Sequence, residues 1–142
     1  MIHFELVTLD GVKFSQEVYE VQLPTTEGYV GIFKDHMPLV TLADTGIIKI
    51  RHKSNESDAQ QELIATSGGV VDVEDNTVRV LVDAADTEDE IDEASIKKAH
   101  QEALELRKNA KDQLSLDKAH TLVQRTHTQL KVAELKHRKR RG

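Results

Sequence analysis

Cysteine and tryptophan are both absent from this chain. Without thiols there is no disulfide framework, no thiolate zinc site and no cysteine nucleophile. Aromatic residues supply only 4% of the sequence, so the interior must be filled by Val, Ile, Leu and Ala. No apolar run approaches the roughly 18 residues needed to span a bilayer. The first residues lack the basic flank and long apolar stretch of a signal peptide, so any membrane association is expected only through a partner.

Signatures of chemistry are missing as well. The seven histidines contain no H-E-x-x-H and no pair at i, i+4, and His120 and His127 stand too far apart to share one ion. Ser67-Gly68-Gly69 lacks the phosphate-cradle pattern and leads into a strand, which predicts a bend or bulge there. The acidic segment Asp83 to Glu93 lacks the glycine and oxygen spacing of a calcium loop and reads as the flank of a helix N-terminus. No nucleophile, base and orienting group can be assembled by spacing. The expectation is a non-catalytic protein with no cofactor and no metal.

What is present changes character near Ala85. Before it, Phe4 to Thr8, Tyr19 to Leu23, Ile47 to Arg51, Glu62 to Thr66, Val70 to Val73 and Val78 to Val82 are short β-branched runs. Asp10-Gly11 and Glu74-Asp75-Asn76 are turns, and His52 to Gln61 is a long polar hairpin loop. Gly28 and Gly31 interrupt an apolar run, which predicts a tight bend or a close backbone approach rather than a helix. The fold class is α+β in two parts: residues 1–86 form a β-sandwich or flattened barrel, and residues 87–142 an antiparallel two-helix hairpin.

In the second part, Thr87 and Glu90 have capping-box spacing. Ile91, Ala94 or Ser95, Ala99, Ala103, Leu106 and Ala110 form one apolar stripe, and Ala119, Leu122 or Val123, Thr126, Leu130 and Ala133 a second. Ser115 and Asp117 are candidate caps between them. Alanine buries little area, so such a seam is weak at roughly 25 cal/mol per Å². The hairpin should be able to separate from the β module.

Charge is divided unevenly along the same line. Up to Asp86 there are 6 basic residues against 15 acidic, and from Thr87 onward 13 against 10. From Lys131 onward there are six Lys and Arg residues against one acid, Glu134, so the end of the arm is a local cation on an acidic protein. One function consistent with this is a free adaptor that binds a protein through its β module and an anionic partner, such as nucleic acid, through its tail.

The run from Glu27 through Gly31-Ile32-Phe33-Lys34-Asp35-His36-Met37-Pro38 to Val40 resembles the epsilon subunit of the rotary F-type ATP synthase. So do Gly46 to Ile50, Ser67 to Val73 and Asn76 to Val82, and the order of a β module followed by two helices is similar throughout. The resemblance implies a non-catalytic central-stalk subunit of a proton-translocating synthase, on the cytoplasmic side of a bacterial inner membrane. Its partners would be the gamma subunit and the c-ring, reached through Gly28, Tyr29, Phe33, His36, Met37 and Pro38, with no nucleic acid bound. The arm would inhibit ATP hydrolysis by contacting the alpha and beta catalytic subunits through Arg125, Lys131, Lys136, Arg138, Arg140 and Arg141. Some family members bind ATP through an Ile/Leu-Asp-x-x-Arg-Ala pattern. Here Ile91 and Asp92 match, but Ser95 replaces the arginine and Ile96 the alanine, so tight nucleotide binding is not expected.

Overall fold

The computed structural model describes residues 1–141, with side chains through Lys139. Ten strands come first: β1 Ile2–Thr8, β2 Gly11–Val18, β3 Glu20–Thr25, β4 Gly28–Ile32, β5 Leu39–Ala43, β6 Gly46–Arg51, β7 Glu62–Thr66, β8 Gly69–Glu74, β9 Thr77–Val82 and β10 Ala85–Thr87. Two helices follow, α1 Glu93–Asn109 and α2 Gln113–Arg141. The strand order is β10-β7-β6-β3-β5-β8-β9-β1-β2, with β4 also paired to β3. Only Thr25 and Ala43 pair β3 with β5, so the sheet folds over at that junction into two facing halves.

Alternation decides which residues enter the interior. In β1, Ile2, Phe4 and Leu6 are buried while His3, Glu5 and Val7 stand half-exposed on the other face. Val21, Leu23, Ile48, Ile50, Ile64, Val71, Val73, Val78 and Val80 complete one core between the halves. Each such side chain stabilises the fold by about 1.5–3 kcal/mol on full burial. The β8–β9 connection is the predicted turn. Asp75 and Asn76 both take left-handed conformations, at φ 49° and 60°, as a type I′ hairpin requires.

The two glycine segments follow expectation only in part: the chain bends at Gly68 as expected, but the neighbouring glycines serve other ends. Gly28 to Ile32 is a strand paired with β3, not a bend, and Gly31 lies where a Cβ would come 3.2 Å from Glu20 Oε2. Gly69 opens β8 in register with Val82, and a Cβ there would stand 1.9 Å from the Leu81 carbonyl oxygen. Close backbone approach, not bending, explains that glycine.

The helix boundaries also shift. Thr87 and Glu90 do interact, with Glu90 Oε1 accepting from the Thr87 N–H and hydroxyl, but they frame a short 3-10 turn over Glu88–Glu90. Helix α1 begins only after Asp92. Asp112, not Ser115 or Asp117, opens α2, accepting the Ser115 N–H at 2.7 Å. That bond holds the Asp112 carboxyl below its ordinary range. On α1 the buried stripe runs through Ala103, while Ala94, Ser95 and Leu106 are exposed. On α2, Ala119, Val123, Thr126 and Ala133 are buried and Leu122 is exposed.

Candidate functional site

Two surfaces carry the residues singled out above, and a third emerges from the strand register. The first is the seam between the hairpin and the β module. Helix α2 lies on the outer faces of β6 and β7, where Val132 packs with Ile47, Leu63 and Ala65, flanked by Ile91 and Leu135. This cluster is separate from the main core. The α1–α2 seam is partly polar as well, since His100 Nδ1 stands 2.8 Å from Thr126 Oγ1.

Around the apolar cluster runs a set of polar links to the acidic segment Asp86–Glu93. Gln129 Nε2 donates to Asp86 Oδ2 at 2.8 Å, and Arg125 approaches the same oxygen at 3.6 Å. Lys136 lies 3.7 Å from Asp89, and Lys139 is 2.6 Å from Glu88 Oε1 while also donating to the Gln61 carbonyl. His137 Nε2 donates to Glu93 at 2.5 Å. The bonds from His137 and Lys97 hold the Glu93 carboxyl below its ordinary range. Burial pulls the Glu90 carboxyl upward, but Lys13 at 2.6 Å and the Thr87 donors outweigh it and bring it down.

The six candidate arm cations therefore divide. Arg125 and Lys136 turn toward the chain's own acidic linker, while Lys131 and Arg138 pair with Glu134 on the same helix, at 3.7 and 2.7 Å. The side chains of Arg140 and Arg141 lie outside the described residues. Lys139 was not singled out in the sequence. Its signal was the complementarity between the basic end and the acids of Asp86–Glu90, which the chain satisfies internally.

The second surface is the Gly28 to Pro38 segment. Phe33 packs edge-on against Tyr19 with ring centroids 5.7 Å apart, and Asp35 donates its N–H to Asn76 Oδ1 at 2.6 Å. His36 Nδ1 donates to the Met37 carbonyl at 2.7 Å, and Met37 and Pro38 are exposed. Phe33 to Pro38 thus sit beside the β8–β9 turn. Gly28 and Tyr29 lie at the other end of β4, roughly 13 Å away at 3.3 Å per residue. Tyr29 accepts the Ile47 N–H there. The six residues form two groups along one strand and its following loop.

The third surface was not anticipated. Strand register places Leu42 beside Val70, Val70 beside Leu81, Leu81 beside Val7 and Val7 beside Val12. Leu42, Val70, Leu81 and Val12 are all exposed, and Val40 is exposed one step further along β5. They make an apolar row across five strands, on the half of the sandwich the helices do not cover. A sheet face open to water normally carries polar residues at these positions. The sequence signal was apolar residues in the outward phase, at Val70 and Leu81.

None of these surfaces gathers a catalytic set, and no group of three or more potential metal ligands occurs among the described residues. No described helix is long and apolar enough to cross a membrane. Residues 1–88 match the family described as the ATP synthase delta/epsilon chain, beta-sandwich domain. The chain belongs to the ATP synthase epsilon-chain family. The ATP synthase epsilon chain of Chromobacterium violaceum is 32% identical over 93% of this chain and 89% of its own length. That of Chloroflexus aggregans is 34% identical over 99% and 97%. In solved structures, a chain of the Euglena gracilis mitochondrial ATP synthase, in its OSCP/F1/c-ring assembly, matches with a TM-score of 0.76 at 23% identity, covering 94% of this chain and 81% of that one. A chain of the Tetrahymena thermophila mitochondrial ATP synthase central stalk and c-ring matches at 0.58 and 18% identity, covering 90% and 95%. At those identities the likeness establishes the fold, a β-sandwich followed by two helices.

Proposed function

We propose that this epsilon-family chain is a non-catalytic central-stalk subunit of a bacterial, proton-translocating F-type ATP synthase, held at the cytoplasmic face of the inner membrane through the complex. The observation that carries this reading is the uncovered apolar row from Leu42 to Val12. A contiguous exposed apolar row of that kind marks a surface that a partner covers. The gamma subunit is the partner we assign to it. Phe33 to Pro38, at the end of the sandwich beside the β8–β9 turn, would face the c-ring. The names of the sequence relatives and the central-stalk origin of one structural neighbour support the assignment.

Residues 1–86 would act as the gripping head and residues 87–142 as a regulatory arm. The arm's apolar footing on the head is small, with Val132 as its one fully buried apolar contribution to the seam cluster. Much of the remaining attachment is ionic. On release, Arg125, Lys131, Lys136 and Arg138 would exchange their present carboxylates for those of the alpha and beta subunits and so restrain hydrolysis. A nucleotide is not required for this reading: Ser95, at the family's arginine position, donates its hydroxyl to Asp92 Oδ2 at 2.5 Å and supplies no cation.

Co-expression with gamma tests the head. Val70→Asp and Leu81→Asp change exposed side chains and should leave the sandwich folded, while gamma no longer copurifies. Copurification of gamma with the folded double variant would overturn the assignment of this face. The adaptor reading is carried by no comparable observation, since Arg125, Lys136 and Lys139 are occupied by internal carboxylates.

A further inference from the structure

Where the last turns of α2 cross the head, a cleft of about 290 Å³ opens between β6, β7, the 52–61 loop and the helix. Its apolar floor comes from Leu63 and Leu135, and its polar side from Gln22, Lys49, Gln61 and Arg138. Gln61 is only 3% exposed, yet its Nε2 has no hydrogen-bond partner. Leaving a buried donor unsatisfied costs about 1–3 kcal/mol. Gln61 itself lines the cleft, and its terminal amide torsion is soft. Lys49 has no ion pair among the described residues, and Arg138 uses Nη2 on Glu134, leaving its other donors uncommitted.

The negative groups nearby are already neutralised. Asp58, on the rim, pairs with Arg51 at 2.7 Å, and Arg51 also reaches the buried Glu20 at 3.0 Å, which fixes the loop. These two carboxylates hold the Arg51 guanidinium even more firmly protonated than usual. Glu88 is taken up by Lys139. The cleft therefore presents the unpaired Lys49, the remaining donors of Arg138 and an orphan amide donor above an apolar floor, and the carboxylate that lines it, Asp58, is paired with Arg51.

We propose that this cleft binds a small organic anion, one carboxylate or phosphate group carried on an apolar body. The oxyanion would take the Lys49 ammonium, the Gln61 amide and the Arg138 guanidinium, and the apolar body would rest on Leu63 and Leu135. The volume sits at the lower limit for small-molecule pockets, which suits a small ligand. Because its walls come from both the head and α2, an occupant that binds only the closed arrangement must stabilise the docked arm by mass action. The site stands apart from the gamma-facing row and does not depend on the stalk assignment.

Titration of the full-length ¹⁵N-labelled chain with phenyl phosphate, and separately with inorganic phosphate, tests this. The Gln61 side-chain amide resonance should move with phenyl phosphate, saturating with a Kd of about 1 mM or tighter. Inorganic phosphate should bind more weakly, for lack of an apolar body. Lys49→Gln removes an exposed-side cation without breaking any ion pair and should weaken phenyl phosphate binding about tenfold, while Lys118→Gln, on a remote part of α2, should not. Amide exchange at residues 132–139 should slow when phenyl phosphate is present. No movement of the Gln61 resonance, or equal affinity in Lys49→Gln and the parent, would overturn the proposal. So would equal binding of both probes, which would mean nonspecific charge attraction.

Discussion

Lys139 Nζ lies 2.6 Å from Glu88 Oε1, joining the end of α2 to the linker 51 residues earlier. Both side chains are about four-fifths buried, at 20% and 18% exposure, and Glu88 Oε1 accepts the Leu63 N–H of β7 as well. One carboxylate thus ties the linker to the head and the arm to the linker. Removing the lysine should leave the first bond and lose the second. Lys139→Met is expected to accelerate amide exchange across residues 130–139 about tenfold, equivalent to about 1.4 kcal/mol, with little change in the β strands. Uniform acceleration in head and arm would show that the two unfold together instead.

Acid should loosen the same region. The Glu90 and Glu93 carboxyls both lie below their ordinary value of 4.5 in the folded chain. A depressed folded-state value means that their contribution is complete above the unfolded value and is lost as pH falls through the folded one. Exchange-derived protection of the linker amides at 87–93 should therefore decline on the acid side of the ordinary carboxylate range. Glu90→Gln should flatten part of that decline, because it removes the carboxylate that faces Lys13 at 2.6 Å. An unchanged acid profile in that variant would assign the transition to other groups.

Gly69 is the most constrained small residue in the head. Gly69→Ala would place a Cβ 1.9 Å from the Leu81 carbonyl oxygen, a backbone atom with no freedom to swing aside. The β8–β9 pairing must open to admit it. Overpacking of this kind costs typically about 1–3 kcal/mol and here should reach the upper end. Denaturant titration gives the loss directly, and a variant as stable as the parent would mean that the strands are further apart than described.

Much of the head was legible because its chemistry is local. Period-two runs such as Phe4 to Thr8 and Val78 to Val82, and the Asp75-Asn76 turn, announce themselves without reference to the rest of the chain. The strand at Gly28–Ile32 was obscured because its two glycines answer to different demands: Gly28 to a backbone at φ 111° just after the β3–β4 turn, and Gly31 to Glu20 beside it. The helix starts were misplaced because several Asp, Ser and Thr residues compete as caps, and the choice depends on where the preceding strand releases the chain. The apolar row required strand order: Leu42, Val70, Leu81 and Val12 are far apart in sequence and become neighbours only through pairing. The docked partners of the basic end were hidden for a similar reason: Asp86, Glu88 and Asp89 come beside Arg125, Lys136 and Lys139 only once α2 lies back over the head.

The boundary of the removable arm follows from the same contacts. Cutting after Asp86 would delete Thr87 from β10 and with it the Glu88 carboxylate that accepts the Leu63 N–H, leaving that donor to water at the sheet edge. Cutting after Glu90 keeps both, together with the Lys13 pair. Both truncations expose Ile47, Leu63 and Ala65 equally, so that term cancels between them. The longer head should be more stable by about 0.5–1.5 kcal/mol in urea titration, the net worth of a hydrogen bond exchanged for one to water. Reconstituted with gamma and the catalytic subunits, both should relieve inhibition of ATP hydrolysis to the same extent, because neither retains α2. If the longer head still inhibits, the brake resides in the linker and not in the helices.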